Sequence, residues 1–310
     1  MLVQERPRVT AFGHEVDTRP AYFGTLRRSS ELAGDGEALR ARMAEDGYLY
    51  LPGYFDRAAV LEARRGLTTR LAEDELLEPG TPVPEAIARQ GPPTGKPATR
   101  PDLLAKQVAP LQQLLYAGPM LEFYRRLLGG EVRHFDYTWL RVVKPGRATP
   151  PHMDIVFMGR GTPNLYTAWT PLSDISLAMG GLMILEGSHR LDHVKDTYGR
   201  RDVDTYCTNL PHANADAWAS GQKRWSGHLS KNAVRLREKL GGRWLTADYR
   251  MGDLLTFPMF TVHASLDNQT DRIRLSTDSR YQSAAEPADP RWVGEQPIAH
   301  GATGRRGRIC

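Results

Sequence analysis

Apolar residues along the chain fall first into helical and then into strand spacing, after an opening stretch with no sustained period. Residues 1–35, with Pro7, Gly13, Pro20, Gly24 and Gly34, read as an arm lying over the body. From Glu37 to Glu45, Leu39 and Met43 stand four apart among Ala and Arg, the pattern of a short amphipathic helix. Tyr48 to Leu51 alternates until Pro52-Gly53 breaks it, which predicts a short strand. Asp56 stands where it can cap a further helix, with Val60, Leu67 and Leu71 on one stripe and Arg57, Arg64, Arg65 and Arg70 on a solvated face. Seven prolines and three glycines among the 23 residues from Pro79 to Pro101 exclude helix and inner strand. A long surface loop is expected there, either a lid or irregular cover. Two helices follow, near 102–116 and 119–129, the second ended by Gly129-Gly130.

Beyond Glu131 the spacing changes. Val132 to Val143 is rich in aromatic and β-branched residues and stops at Lys144-Pro145-Gly146; further strands are expected over 165–172, 181–185, 253–260 and 273–281. A helical half followed by a strand-rich half predicts an α+β fold, a β-barrel or sandwich supported by N-terminal helices. One domain is expected over 36–285, followed by a tail over 286–310.

Composition narrows the function. The 310 residues are 40% hydrophobic and 25% charged, an ordinary globular balance. No run approaches the roughly 18 apolar residues of a membrane helix, and the N-terminus is charged where a signal peptide is apolar, so a soluble, cytoplasmic protein is expected. The two cysteines, Cys207 and Cys310, are too few for a disulfide scaffold or a thiolate metal site. Any metal must therefore be held by His and carboxylate. The net charge of +5 is spread among acids with no recognisable nucleic-acid module, so nucleic acid is not an expected partner.

The turn Pro150-Pro151-His152-Met153-Asp154 sets an imidazole and a carboxylate two residues apart, on one face of an extended chain. His263 closes a second apolar, strand-like run. Two histidines and one carboxylate on one face of a metal leave three positions open, the arrangement of non-haem Fe(II) oxygenases. Arg274 lies eleven residues after His263, beyond a turn through Asp267-Asn268-Gln269, so an antiparallel return brings a guanidinium to the same cavity. Arg272 is its competitor on that strand. Thr138, Trp139 and Arg141 precede the metal turn, and alternation leaves open which of them face inward.

In combination these residues resemble the phytanoyl-CoA dioxygenase-like family of Fe(II)/2-oxoglutarate oxygenases, over roughly residues 36–282. The resemblance rests on Gly47-Tyr-Leu-Tyr-Leu-Pro-Gly53, His152-x-Asp154, Trp169-Thr-Pro-Leu-Ser-Asp174, Gly180-Gly-Leu-Met-Ile-Leu-Glu-Gly-Ser-His189, Gly252-Asp253, and His263 with Arg274. It implies a double-stranded β-helix (a cupin-like jelly roll) and the cofactor set Fe(II), 2-oxoglutarate and O2. It further implies that His152, Asp154 and His263 bind iron and that Arg274 and Ser265 hold the distal carboxylate of 2-oxoglutarate. Trp169 would pack beside the co-substrate. The spacing of eleven matches the family and favours Arg274 over Arg272. His189 is expected to make a structural hydrogen bond, because a fourth protein ligand would block an open position. The implied reaction is hydroxylation, or a related oxidation such as desaturation or ring formation, of an unactivated C–H bond. Asp154 argues against halogenation, since related halogenases place a small residue there.

The segment 191–249 is long for a strand connection and carries Trp218, Trp225 and Trp244 beside Lys223, Arg224 and Arg243. It is expected to cover the substrate side and to suit a small molecule with an apolar or ring part and an anionic group. Helices merely packed across the barrel are the equal alternative. The competing functional class is a cupin-like metal-dependent isomerase or binding protein that does not use 2-oxoglutarate.

Overall fold

Strand pairing in the computed structural model, which describes residues 8–91, 98–203 and 225–300, sorts most of the strands into two sheets. The arm supplies a hairpin of β1 (Thr10–Ala11) and β2 (His14–Glu15), and then β3 (Phe23–Thr25). Val9, Ala11 and Val16 of this stretch are buried, and the Asp267 carboxylate accepts the Phe12 and Gly13 N–H groups at 2.9 Å each.

Helix α1 (Gly36–Asp46) starts where the Asp35 side chain accepts from Glu37 and Ala38, and it stops at Gly47, whose φ of 74° is the left-handed conformation glycine tolerates. After β4 (Leu49–Leu51) comes α2 (Arg57–Glu73), capped by Asp56 as predicted. The single helix expected over 102–116 is two, α3 (Pro101–Gln107) and α4 (Ala109–Tyr116), because Pro110 has no N–H to continue the ladder. Helix α5 (Gly118–Leu128) ends at Gly129.

The second half contributes β5 (Val132–His134), β6 (Trp139–Val143), α6 (Ile155–Met158), β7 (Tyr166–Pro171), β8 (Leu182–Leu185), α7 (Asp192–Lys195), α8 (Ala233–Leu240), β9 (Trp244–Thr246), β10 (Leu254–Pro258), β11 (His263–Ser265) and β12 (Arg274–Ser283). One sheet runs β4-β10-β7-β12-β5, with β6 also paired along β12; the other runs β11-β8-β9-β3. The run expected as one strand over 132–143 is interrupted where the Asp136 N–H turns to the Trp292 carbonyl, at 2.9 Å.

Alternation sorts the side chains into three cores. Leu182, Ile184 and Leu245 meet Trp169, Leu255 and Phe257 between the two sheets. Leu254, Ala168, Leu275 and Tyr281 point outward into a larger core with Leu39, Val60, Leu67, Leu115 and Phe123 of the helices. Met183, Leu185, Trp244 and Ala264 pack on the far side with Leu236 of α8 and with the arm.

Several expectations change. Arg64 is buried, donating to the Leu172 carbonyl at 3.1 Å, Ser173 Oγ at 2.6 Å and the Pro84 carbonyl at 2.8 Å, so it ties α2 to the sheet and does not belong to the solvated face. Trp244 is a strand residue facing α8, with Nε1 donating to the Ala233 carbonyl at 3.1 Å, and Arg243 is paired with Glu186. Neither is among the residues that line the cleft between His152 and Arg274. The described part of the Pro-rich loop buries Ala86 and Ala88 in the helix-side core. The tail docks: Trp292 is buried, edge-on to Tyr137 and tilted against Trp139. Cys207, His212, Trp218, Lys223, Arg224, Cys310 and residues 92–97 lie outside the described residues.

Candidate active site

His152 and His263 are backbone partners. Each N–H donates to the other's carbonyl at 3.0 Å, so the turn after Pro151 is stitched directly to β11. The chain then enters α6, with Asp154 already helical at φ −67° and ψ −25°. The carboxylate reaches the histidines through this turn and not through the extended alternation read from the sequence. His152 Nε2 and His263 Nε2 lie 3.7 and 3.8 Å from Asp154 Oδ1. Both separations fall below the roughly 4.2 Å that two metal bonds of about 2.1 Å span. Among the described residues this is the one group of three such ligands, and all three are buried.

The surroundings fix which atoms point inward. His152 Nδ1 donates to the Pro150 carbonyl at 2.8 Å and His263 Nδ1 to the Thr261 carbonyl at 3.0 Å, leaving both Nε2 atoms bare. Asp154 Oδ2 takes the Arg280 guanidinium at 3.0 Å and the Thr167 hydroxyl, so Oδ1 alone faces the imidazoles. Burial pushes both imidazoles below their ordinary pKa, His152 further because His263 adds repulsion, and so keeps them neutral as metal ligands require. Burial by itself would raise the Asp154 carboxyl. Arg280, the two imidazoles and Thr167 outweigh it and hold the group ionised, below the usual carboxylate range.

Strand β12 lays a polar row along the inner face: Arg274, Ser276, Asp278 and Arg280, with Leu275 and Tyr281 turned to the helices. Arg274 is fully buried. Its Nη1 donates to the Gly180 carbonyl, while Nε has no partner, and burial together with Arg141 lowers its pKa from 12.5 to about 10. Arg272 is exposed and paired with Glu85 at 3.1 Å, so of the two only Arg274 reaches the cavity. Ser265 Oγ accepts the Thr149 N–H at 2.8 Å, which leaves its own proton to donate. Trp169 packs edge-on against Tyr249, with ring centroids 4.6 Å apart.

His152, His263, Ser265, Arg274 and Trp169 line one cleft, and Asp154 completes the triad at its edge. All six residues singled out from the sequence are therefore brought together. His189 is structural, donating to the Ala44 carbonyl at 3.0 Å beneath Gly47. Three neighbours are not singled out by the sequence, Thr167, Arg280 and Asp278, and a fourth, Arg141, is one whose orientation the sequence leaves open. Arg141 and Trp139 pair with Ser276 and Asp278 on the inner face, which settles the orientation left open. Asp278 Oδ2 accepts Arg141 Nε at 2.7 Å and also Nη2. Burial opposes that guanidinium's charge, and Asp278 more than offsets it, raising its pKa. At the mouth, His152 has Phe157 at 5.5 Å and His228 at 6.2 Å, and Leu229 N–H donates to the Pro151 carbonyl at 2.9 Å. Residues 228–229 of the 191–249 segment thus lie against the metal turn.

Known proteins place this architecture. A 1-deoxypentalenic acid 11-beta-hydroxylase of Streptomyces exfoliatus is 27% identical over 82% of this chain and 83% of its own. Two solved structures share the fold. One is the epimerase SnoN from nogalamycin biosynthesis, in complex with Fe3+, alpha ketoglutarate and nogalamycin RO (TM-score 0.53, 23% identity, 86% of this chain and 94% of that one). The other is EctD from S. alaskensis (TM-score 0.56, 17% identity, 95% and 91%). No helix among the described residues is long and apolar enough to cross a membrane. The profile of the family described as Phytanoyl-CoA dioxygenase (PhyH) matches residues 43–276, three quarters of the chain, and the protein belongs to that family of Fe(II)/2-oxoglutarate-dependent dioxygenases.

Proposed function

We propose that this protein hydroxylates an unactivated C–H bond of a small, largely apolar molecule, with succinate and carbon dioxide as co-products, on a double-stranded β-helix formed by the two facing sheets. One observation carries the reading: three buried ligand atoms converge beside a buried guanidinium whose Nε has no partner. That donor set fits Fe(II), and the orphaned Nε fits a carboxylate. His152, Asp154 and His263 hold the iron; Arg274 and Ser265 hold the distal carboxylate of 2-oxoglutarate; Trp169 walls it. When bound, iron and 2-oxoglutarate supply dioxygen activation and the oxidising power for C–H cleavage.

The chain's own residues do the rest. The Pro150 and Thr261 carbonyls keep both Nε2 atoms aimed at the metal. Arg280 and Thr167 hold Asp154 to a single free oxygen, which leaves neighbouring coordination positions open. Phe157, His228 and Tyr198 crowd the metal turn and limit water at the reacting centre. Hydroxylation is favoured by the curated relative's activity. The test is anaerobic titration of the Fe(II)-loaded protein with 2-oxoglutarate, followed by the weak visible charge-transfer band of the chelate. A wild-type protein that binds Fe(II) and shows no band or calorimetric uptake refutes the assignment.

A further inference from the structure

Three guanidinium groups serve the site, and their accessibility differs. Arg274 and Arg280 are 2% and 1% exposed, the first enclosed beside Gly180, the second held over the Trp139 ring at 4.6 Å and bonded to Asp154. Arg141 lines the same cleft with about a third of its side chain open. Both of its contacts to Asp278 end on one oxygen, Oδ2, and its Nη1 has no hydrogen-bond partner among the described residues. Asp278 thus anchors one edge of the planar fork and leaves the other edge without a protein partner, on a side chain that lines the cleft.

The charges of the site point the same way. Arg141, Arg274 and Arg280 stand against Asp154 and Asp278, and an imidazole that binds a metal is neutral. A ferrous ion and a 2-oxoglutarate dianion cancel each other and leave one positive charge in excess. In a desolvated cleft that excess is best met by a monoanion. Among the described residues no cation of the 191–249 segment lines this cleft, and Arg243 is paired with Glu186.

We propose that Arg141, anchored by Asp278, is the specificity residue that binds the carboxylate of an apolar, monoanionic substrate and so sets which carbon faces the metal. The proposal rests on the Fe(II)/2-oxoglutarate reading above. A carboxylate at Arg141 has two sources, the substrate or the metal-side carboxylate of 2-oxoglutarate itself, and we assign it to the substrate. Arginine suits the task better than lysine, because its remaining N–H groups accept a carboxylate in a fixed plane while Asp278 holds the other edge.

The test uses the Fe(II)- and 2-oxoglutarate-loaded full chain under anaerobic conditions. The probes are 1-deoxypentalenic acid and a small panel of other apolar ring carboxylic acids, each paired with its methyl ester. Binding is read from the perturbed charge-transfer band and by calorimetry. The acids are expected to bind at least tenfold more tightly than their esters. Because Arg141→Gln alone strands a buried carboxylate, the Arg141→Gln/Asp278→Asn double variant is compared with Asp278→Asn. The double variant should lose the acid preference and keep Fe(II) and 2-oxoglutarate affinity within about twofold. Asp278→Asn, with its guanidinium freed, should bind the acids as tightly as wild type or more so. Esters binding as well as acids, no acid binding at all, or a double variant impaired in 2-oxoglutarate binding each overturns the proposal. If the wild type fails to take up 2-oxoglutarate, the fault lies with the underlying reading instead.

Discussion

Replacing Arg274 by Met separates co-substrate binding from folding. The side chain is nearly isosteric but cannot form the ion pair. Removing one partner of a buried, hydrogen-bonded charge pair costs about 2–5 kcal/mol, and Arg274 is fully buried with no solvent to screen it. At roughly 1.4 kcal/mol per factor of ten, 2-oxoglutarate binding should weaken about 30- to 4,000-fold, toward the upper end. Folding should change little. The lowering of the guanidinium pKa from 12.5 to about 10 corresponds to roughly 3 kcal/mol of burial penalty in the free protein. Losing that penalty offsets the roughly 1–3 kcal/mol for leaving the Gly180 carbonyl without its donor. Anaerobic calorimetry on the Fe(II)-loaded protein gives the affinity, and urea unfolding of the metal-free protein gives the stability. Arg272→Met is the control, since its exposed pair with Glu85 contributes about 0–1 kcal/mol and touches nothing in the cleft. Unchanged affinity in Arg274→Met, or a larger loss in Arg272→Met, refutes the assignment of the co-substrate carboxylate.

His152→Ala, Asp154→Ala and His263→Ala should each abolish stoichiometric Fe(II) binding with the fold retained; full iron content in any one removes that residue from the triad. Because burial holds both imidazoles below their ordinary value of about 6.5, they are already neutral at pH 7. Co(II) affinity should then be flat from pH 7 to 8, with the same binding enthalpy in buffers of different ionisation heat; proton release in that range contradicts this. Trp225→Ala should raise succinate formed per product without weakening 2-oxoglutarate binding, because Trp225 caps the segment at the metal turn through His228. Trp244→Ala should instead lower stability by about 3–5 kcal/mol through loss of a fully buried ring, with coupling unchanged in whatever protein remains folded.

The triad was legible because His-x-Asp, a distant strand histidine and an arginine eleven residues later form a pattern whose chemistry requires all four. The residues that tune it were not. Arg280 and Asp278 lie in a run, Ser276-Thr-Asp-Ser-Arg280, that is polar at every position and so reads as solvated chain with no inward face, and Thr167 is a lone polar residue among apolar ones. Yet β12 is buried along nearly its whole length, because helices cover one side and the second sheet the other. Once Arg274 is fixed inward, period-two counting puts Ser276, Asp278 and Arg280 on the same row, so the signal was present but needed one anchored position. The strand that carries Trp244, with Arg243 just before it, is hidden for the opposite reason. A three-residue strand after a helix carries too little periodicity to announce itself, and β9 was absorbed into the long segment before it.

The reciprocal backbone bonds between His152 and His263 also determine how the site comes apart. Each amide proton is held by the other residue's carbonyl, so one local opening frees both and in the same motion parts two of the three ligand atoms. Hydrogen exchange at these two amides should therefore show a common protection factor, which rises equally at both when metal is bound, by an amount that reports the binding free energy. Escape of the ion is then governed by the breathing of a strand pair, not by the rotation of a side chain.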